Sequence, residues 1–177
     1  MTKKANVPAE KKPIENAPLH LTVLFEEEFT AGLKDLFEEK IVFNKTLGIK
    51  ITSITQLRVT ASMAMRPELI GHYAHNRIHG GAISAGLDAM GGLAVMVAIG
   101  ARHMDEPPAQ RLLRFLKLGT IDMRVDYLRP GIAHEGDMFE LRAEVLRLGS
   151  RVASTRMEFL SADGKLLSTA AAAYIVS

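Results

Sequence analysis

Residues 79–100 read HGGAISAGLDAMGGLAVMVAIG, and the reading of this stretch decides the fold. From Ala82 onward it is apolar or small on every side with Asp88 as its one charge, so a helix here has to be enclosed rather than lie on a surface. A membrane-spanning helix needs roughly 20 apolar residues. Asp88 leaves too few after it, so the segment reads as a buried core helix from about Gly80 to Gly100. The helix is also slender, because Gly80, Gly81, Gly86, Gly91 and Gly92 alternate with Ala82, Ser84, Ala85, Ala89 and Ala94. Each interior glycine costs a helix roughly 0.8–1 kcal/mol relative to alanine. A sequence that keeps them needs close backbone approach, as when a curved sheet wraps one long helix or a twin helix lies against it.

Downstream, Thr120–Leu128, Met138–Leu148, Val152–Leu160 and Lys165–Val176 read as strands, separated by the turn signals Pro130-Gly131, Gly149-Ser150 and Ala162-Asp163-Gly164. The connections are too short for crossover helices, which predicts an antiparallel meander and excludes a doubly wound sheet. In the first of these strands Ile121, Met123, Val125 and Tyr127 face the core, while alternation groups Thr120 with Asp122, Arg124 and Asp126 on the polar face. Upstream, Gly48–Ala64 reads as two strands joined by a tight turn. Val23, Leu24, Phe29, Leu33, Leu36, Phe37 and Ile41 give Thr22–Phe43 the period of one amphipathic surface helix. A histidine-rich loop leads into the glycine-rich helix. Pro107-Pro108 starts a short helix within Arg102–Lys117 whose Arg111, Arg114 and Lys117 share a face. The order predicts an α+β fold: an antiparallel sheet of about six strands with segregated helices.

The 177 residues, 47% hydrophobic and 24% charged, fit one folded domain over residues 21–177 behind a mobile tail, residues 1–20, that has no signal-peptide core. A formal charge of +2 is too small for a nucleic-acid surface. The absence of cysteine excludes disulfides, thiolate nucleophiles and cysteine-held metal, and favours a reducing compartment, the cytoplasm.

His79-Gly80-Gly81 followed by Asp88, with six residues between Gly81 and the aspartate, resembles the HGG-x6-D signature of hotdog thioesterases of the phenylacetate-pathway (PaaI) type. The run GTIDMRVDYLRPG over residues 119–131 is similar to the strand that follows in that family, and with FNKTLG over residues 43–48 it most resembles the bacterial YigI-like branch. The likeness spans about residues 40–177. It implies a hotdog fold, hydrolysis of a medium- to long-chain fatty acyl-CoA without metal or added cofactor, coenzyme A entering only with the substrate, and dimers or dimers of dimers with the site at the interface. It also implies that Thr120, where the family carries a serine or threonine, positions the water or the carboxylate. Many members carry a water-orienting asparagine six residues before the histidine. Here that position is Tyr73, with Asn76 and His72 as the nearby substitutes.

The residues support the chemistry directly. A helix beginning at Gly80 offers N–H groups without intrahelical acceptors at the positive end of its dipole, and glycine there lets a carbonyl approach, so Gly80 and Gly81 are candidate oxyanion donors. His79 is the hydrogen-bonder expected to shape the glycine turn. Asp88, a carboxylate in an apolar helix, is the candidate nucleophile or general base; the two roles need the same geometry. Gly80 and Asp88 are eight residues apart, about 12 Å along a helix, whereas a reacting carbonyl must sit about 3 Å from both donor and attacker. Two antiparallel helices across a two-fold axis solve this, which predicts an obligate homodimer with two shared sites. Arg129, Arg147 and Arg151, at strand ends and turns, are the candidates for coenzyme A phosphates. His72, His75 and His79, at i, i+3 and i+7, would share a helical face as metal ligands, but the glycines after His79 argue for a loop and no metal. Two rival functions are an acyl-thioester dehydratase or hydratase, with His79 over the substrate, and a non-catalytic acyl-CoA-binding module.

Overall fold

The computed structural model describes residues 23–177, so the tail expected over residues 1–20 lies outside the described residues. Helix α3 (Gly80–Arg102) packs against one face of a six-stranded antiparallel sheet. The strands are β1 (Ile49–Ile54), β2 (Val59–Ala64), β5 (Gly119–Tyr127), β6 (Met138–Leu148), β7 (Val152–Leu160) and β8 (Leu166–Ile175), ordered β1-β2-β6-β7-β8-β5. Alternation along them supplies the core. Val59, Ala61 and Met63 of β2, Phe139, Leu141 and Ala143 of β6, and Met157 and Phe159 of β7 meet Leu87, Met90, Leu93 and Val97 of α3. About 72% of the most apolar window of α3 is buried in this way, as a core helix requires.

The interior glycines have packing causes. A β-carbon on Gly91 would lie 2.1 Å from the Tyr174 hydroxyl oxygen, and one on Gly100 would lie 2.3 Å from the Phe29 ring. Sheet and N-terminal helix therefore approach α3 where side chains are missing.

Four expectations change. The predicted helix over Thr22–Phe43 is three pieces: α1 (Glu27–Lys34), a wide π-helical turn (Asp35–Lys40) and α2 (Val42–Leu47), broken where Ile41 becomes extended. The buried stripe Phe29, Leu33 and Phe37 runs through the first two regardless. The histidine-rich loop is a small hairpin, β3 (Ile70–His72) and β4 (Arg77–Ile78), around one 3-10 turn at Tyr73–His75. The four late strands do not form a simple meander, because β5 pairs with β8 and β6 pairs with β2. Residues 128–137, including Pro130-Gly131, cross the sheet instead of turning a hairpin.

The fourth change concerns Arg111. It is not on an exposed face of the short helix α4 (Pro108–Leu113) but fully buried, its guanidinium 4.5 Å above the Phe29 ring. Its Nη2 donates to Glu26 Oε2 at 2.5 Å and its Nη1 to the Gly100 carbonyl at 3.4 Å, tying α1, α3 and α4 together. That hydrogen bond holds the Glu26 carboxyl below its ordinary range. Arg111→Ala removes a buried cation from its ring and acceptors and is expected to cost about 3 kcal/mol in urea denaturation. A loss below about 1 kcal/mol would mean the pair acts like an exposed salt bridge.

Candidate functional site

Asp88 lies on the half-buried stripe of α3 with Ala85 and Ala89, pointing away from the packed core. Thr120 Oγ1 donates to its Oδ1 at 2.8 Å, and the Tyr174 hydroxyl stands 3.1 Å from the same oxygen and 3.0 Å from the Asp88 carbonyl oxygen. Thr120 and Tyr174 are directly opposite in the β5–β8 ladder, which is how two strands aim two hydroxyls at one carboxylate oxygen. Tyr174 is 1% exposed. Burial, and after it the negative charge of Asp88, push its phenol far above the ordinary range, so it remains a proton donor. Gly91 leaves the room its ring needs.

Strict alternation placed Thr120 on the polar face, and the structure turns it inward. The β5–β8 register shifts between Thr120 and Asp122, so Ile121 is a bulge residue, and a bulge re-aims the side chains before it. Ile121 is accordingly exposed. So is Tyr127 at the strand's other end, leaving Met123 and Val125 as the half-buried members of the expected face.

Asp88, Thr120 and Tyr174 lie at one part of a cleft of about 270 Å³ whose walls are mostly apolar, among them Phe37, Ile41, Phe115 and Leu118. Asn44 of α2 also lines it, 4% exposed, with its amide nitrogen unpartnered among the described residues. Sequence reasoning missed both Tyr174 and Asn44. The signal for Tyr174 was its place in phase with Ala170 and Ala172 on an inward face, where a phenol needs a partner.

The other half of the signature lies elsewhere. His79 is the N-cap of α3: its Nδ1 accepts from the Gly81 N–H at 2.8 Å, and its carbonyl accepts from Ala82 and Ile83. The Gly81 N–H is thereby engaged. The Gly80 N–H has no acceptor among the described residues, and the Tyr127 hydroxyl donates to the Gly80 carbonyl at 2.9 Å. Gly80 lines a second cleft, about 360 Å³, with Arg77, Ile83, Tyr127 and Arg129. One chain thus brings Thr120 to Asp88 and His79 to Gly81, but puts Gly80 and Asp88 in different clefts.

The remaining candidates scatter. Tyr73 is 89% exposed, and Asn76 takes a left-handed backbone (φ 45°) that reverses the chain, so His72, His75 and His79 share no helical face. Arg129 Nη1 donates to the Leu166 carbonyl at 2.8 Å beside the Gly80 cleft. Arg147 and Arg151 are exposed at the β6–β7 turn, which Arg102 binds through the Leu148 and Gly149 carbonyls at the far end of α3. The three arginines do not cluster within one chain.

The thioesterase superfamily model matches residues 75–168, from the small hairpin into β8. The medium/long-chain acyl-CoA thioesterase YigI of Salmonella typhimurium is 31% identical over 154 residues, covering 87% of this chain and 97% of that protein. Its namesake from Escherichia coli K12 is 30% identical with the same coverage. A solved structure from Shewanella oneidensis, described as related to the thioesterase superfamily, superposes with a TM-score of 0.77 at 32% identity, covering 86% of this chain and 100% of that one. The Escherichia coli PaaI protein shares the fold, with a TM-score of 0.66 at 18% identity over 85% of this chain and 94% of its own. The sheet around α3 is the hotdog architecture of these proteins, and the chain belongs to the thioesterase superfamily.

Proposed function

We propose that this protein hydrolyses medium- to long-chain acyl-CoA thioesters to the free acid and coenzyme A, in sites that two copies of the chain build together. The observation that carries the reading is the Asp88 carboxylate, with Oδ1 held by two hydroxyls at the polar part of an apolar cleft. Oδ1 is engaged by these hydroxyls, whereas Oδ2 has no protein donor among the described residues. Attack at the thioester carbon, by a water that gives its proton to Asp88 or by Asp88 itself, drives the carbonyl electrons onto oxygen. The Gly80 N–H of a second copy donates to that oxyanion, with Gly81 fixed behind it by the His79 cap. Collapse breaks the C–S bond and releases coenzyme A, whose thiolate takes up a proton; where Asp88 itself attacked, the mixed anhydride left on it is then hydrolysed by water to the free acid. The alkyl chain occupies the cleft at Phe37, Ile41 and Phe115, in keeping with the names of the YigI relatives. Arg129 at the Gly80 cleft is placed to meet phosphate. The dehydratase reading needs a free imidazole over the substrate, whereas His79 Nδ1 is committed to Gly81.

The sheet edge supports a shared site. β5 pairs only with β8, so its other edge is open among the described residues. Thr120 at its start borders the Asp88 cleft and Tyr127 at its end borders the Gly80 cleft. Antiparallel pairing of two β5 strands about Met123 sets Gly119 of each copy opposite Tyr127 of the other and joins the two half-sites. It also sets Asp122 opposite Arg124 of the other copy, a favourable cross-strand pair.

Thiol release is to be measured over acyl-CoAs from acetyl through palmitoyl, with benzoyl and phenylacetyl, for wild type and Asp88→Asn. Turnover is expected to peak at medium to long alkyl chains and to fall about 10²–10⁴-fold in the variant, with acyl-CoA binding retained. Binding without turnover in the wild type would favour the non-catalytic module. For the edge, Asp122→Arg is expected to shift sedimentation from dimer towards monomer and lower activity in parallel, and Asp122→Arg with Arg124→Asp to restore both. A monomeric wild type with full activity would refute the pairing.

A further inference from the structure

One wall of the Asp88 cleft has open space behind it. Phe115, in the 3-10 turn Arg114–Lys117 between α4 and β5, lines that cleft and also a second one of about 230 Å³, and it is the one residue common to both. The π-helical turn borders both as well: Phe37 lines the Asp88 cleft, whereas Asp35, Leu36 and Lys40 line the other. The Phe115 ring is half-buried and meets the Phe37 ring edge-on, with centroids 5.7 Å apart and planes at 74°. The second cleft has the chemistry of an alkyl site. Leu36, Leu112, Leu113 and Leu116 line it, and its two charged members, Asp35 and Lys40, neutralise each other in a 2.7 Å ion pair. Leu113 and Leu116 are 63% and 81% exposed. One exposed leucine needs no explanation, but two at one apolar cleft make a patch of the kind that receives an apolar ligand or partner.

What fills it follows from continuity with the Asp88 cleft. An alkyl chain carries no hydrogen-bonding group and gains from apolar walls alone. The Asp88 cleft by itself is smaller than the roughly 300–1,000 Å³ of small-molecule sites, whereas the two clefts together lie within that range. Only the Phe115 side chain lines both, and a half-buried ring on a short turn can change rotamer where a strand or helix backbone could not move aside. We propose that Phe115 is the partition that sets acyl-chain length: medium chains end against its ring, and long chains turn it aside and lay their distal methylenes in the second cleft, against Leu36, Leu112, Leu113 and Leu116. The π-helical turn then serves both clefts, presenting Phe37 to the near part of the chain and Leu36 to the far part. This assignment rests on the hydrolase reading given above and deepens its substrate class.

The test measures kcat/KM for saturated acyl-CoAs from hexanoyl to stearoyl, with sedimentation, for the full chain as wild type, Phe115→Ala, Phe115→Trp and the double variant Leu113→Asp with Leu116→Asp. Phe115→Ala, which joins the clefts, is expected to raise the palmitoyl-to-octanoyl ratio of kcat/KM about ten-fold, the worth of between one and two buried methylenes at about four-fold each. Phe115→Trp is expected to lower that ratio by a similar factor. The double variant changes exposed positions only and is expected to lower the palmitoyl value about ten-fold more than the octanoyl value. Should Phe115→Ala not fold, Phe115→Trp and the double variant carry the same test. Ratios within about two-fold of wild type throughout overturn the proposal. A ratio that follows Phe115 but not the leucines also overturns it, because the chain then ends elsewhere. So does a double variant that changes sedimentation and leaves the ratio unmoved, which would assign the leucines to contact between copies. A wild type that hydrolyses no acyl-CoA would defeat the hydrolase reading and this proposal with it, whereas an active wild type whose ratio none of the variants moves defeats the partition alone.

Discussion

A carboxylate carried on an enclosed helix has to be held by donors from the sheet around it, and the hydroxyls of Thr120 and Tyr174 meet that need at Asp88. Much of the local structure follows from this contact. Tyr174 can reach the helix only because Gly91 has no side chain, and Thr120 points inward only because β5 carries a bulge at Ile121. The glycine that costs the helix stability and the bulge that breaks the strand's alternation therefore serve one oxygen atom of Asp88.

Helix length imposes a second constraint. The N–H of Gly80, without an acceptor among the described residues, begins α3 and Asp88 lies eight residues on, about 12 Å away, and each end has its own cleft. Between them runs β5, which borders both clefts and has one edge unpaired among the described residues. On the function proposed above, a chain folded alone would hold two halves of a thioester site, and two-fold pairing of that strand is the simplest operation that would complete both.

The sequence was legible where one interaction dominates. An apolar helix with regularly placed small residues has one solution, a sheet packed around it. Met138–Leu148 and Val152–Leu160 alternate cleanly and sit within the expected bounds. Legibility failed where tertiary contacts override local pattern. The period of Phe29, Leu33 and Phe37 is continuous, but the chain widens into a π turn and breaks at Ile41. Arg111 reads as a surface cation until Glu26 and Phe29, distant in sequence, enclose it. In the candidate site, Asp88, Gly80 and His79 were named from the spacing of a motif that resembles the family signature. Thr120 was named from family resemblance against its alternation. Tyr174 was hidden in a run of alanines, and Asn44 in a motif with no evident chemistry.

Hybrid dimers test the shared site most directly. Asp88→Asn and Gly80→Val each damage a different half, so mixing the two inactive proteins under conditions that exchange subunits puts one intact site in every hybrid. Acyl-CoA hydrolysis is predicted to recover towards about a quarter of wild type at equal proportions, since half the dimers are hybrids with one of two sites whole. Hybrids that form and remain inactive would contradict a site built from two chains.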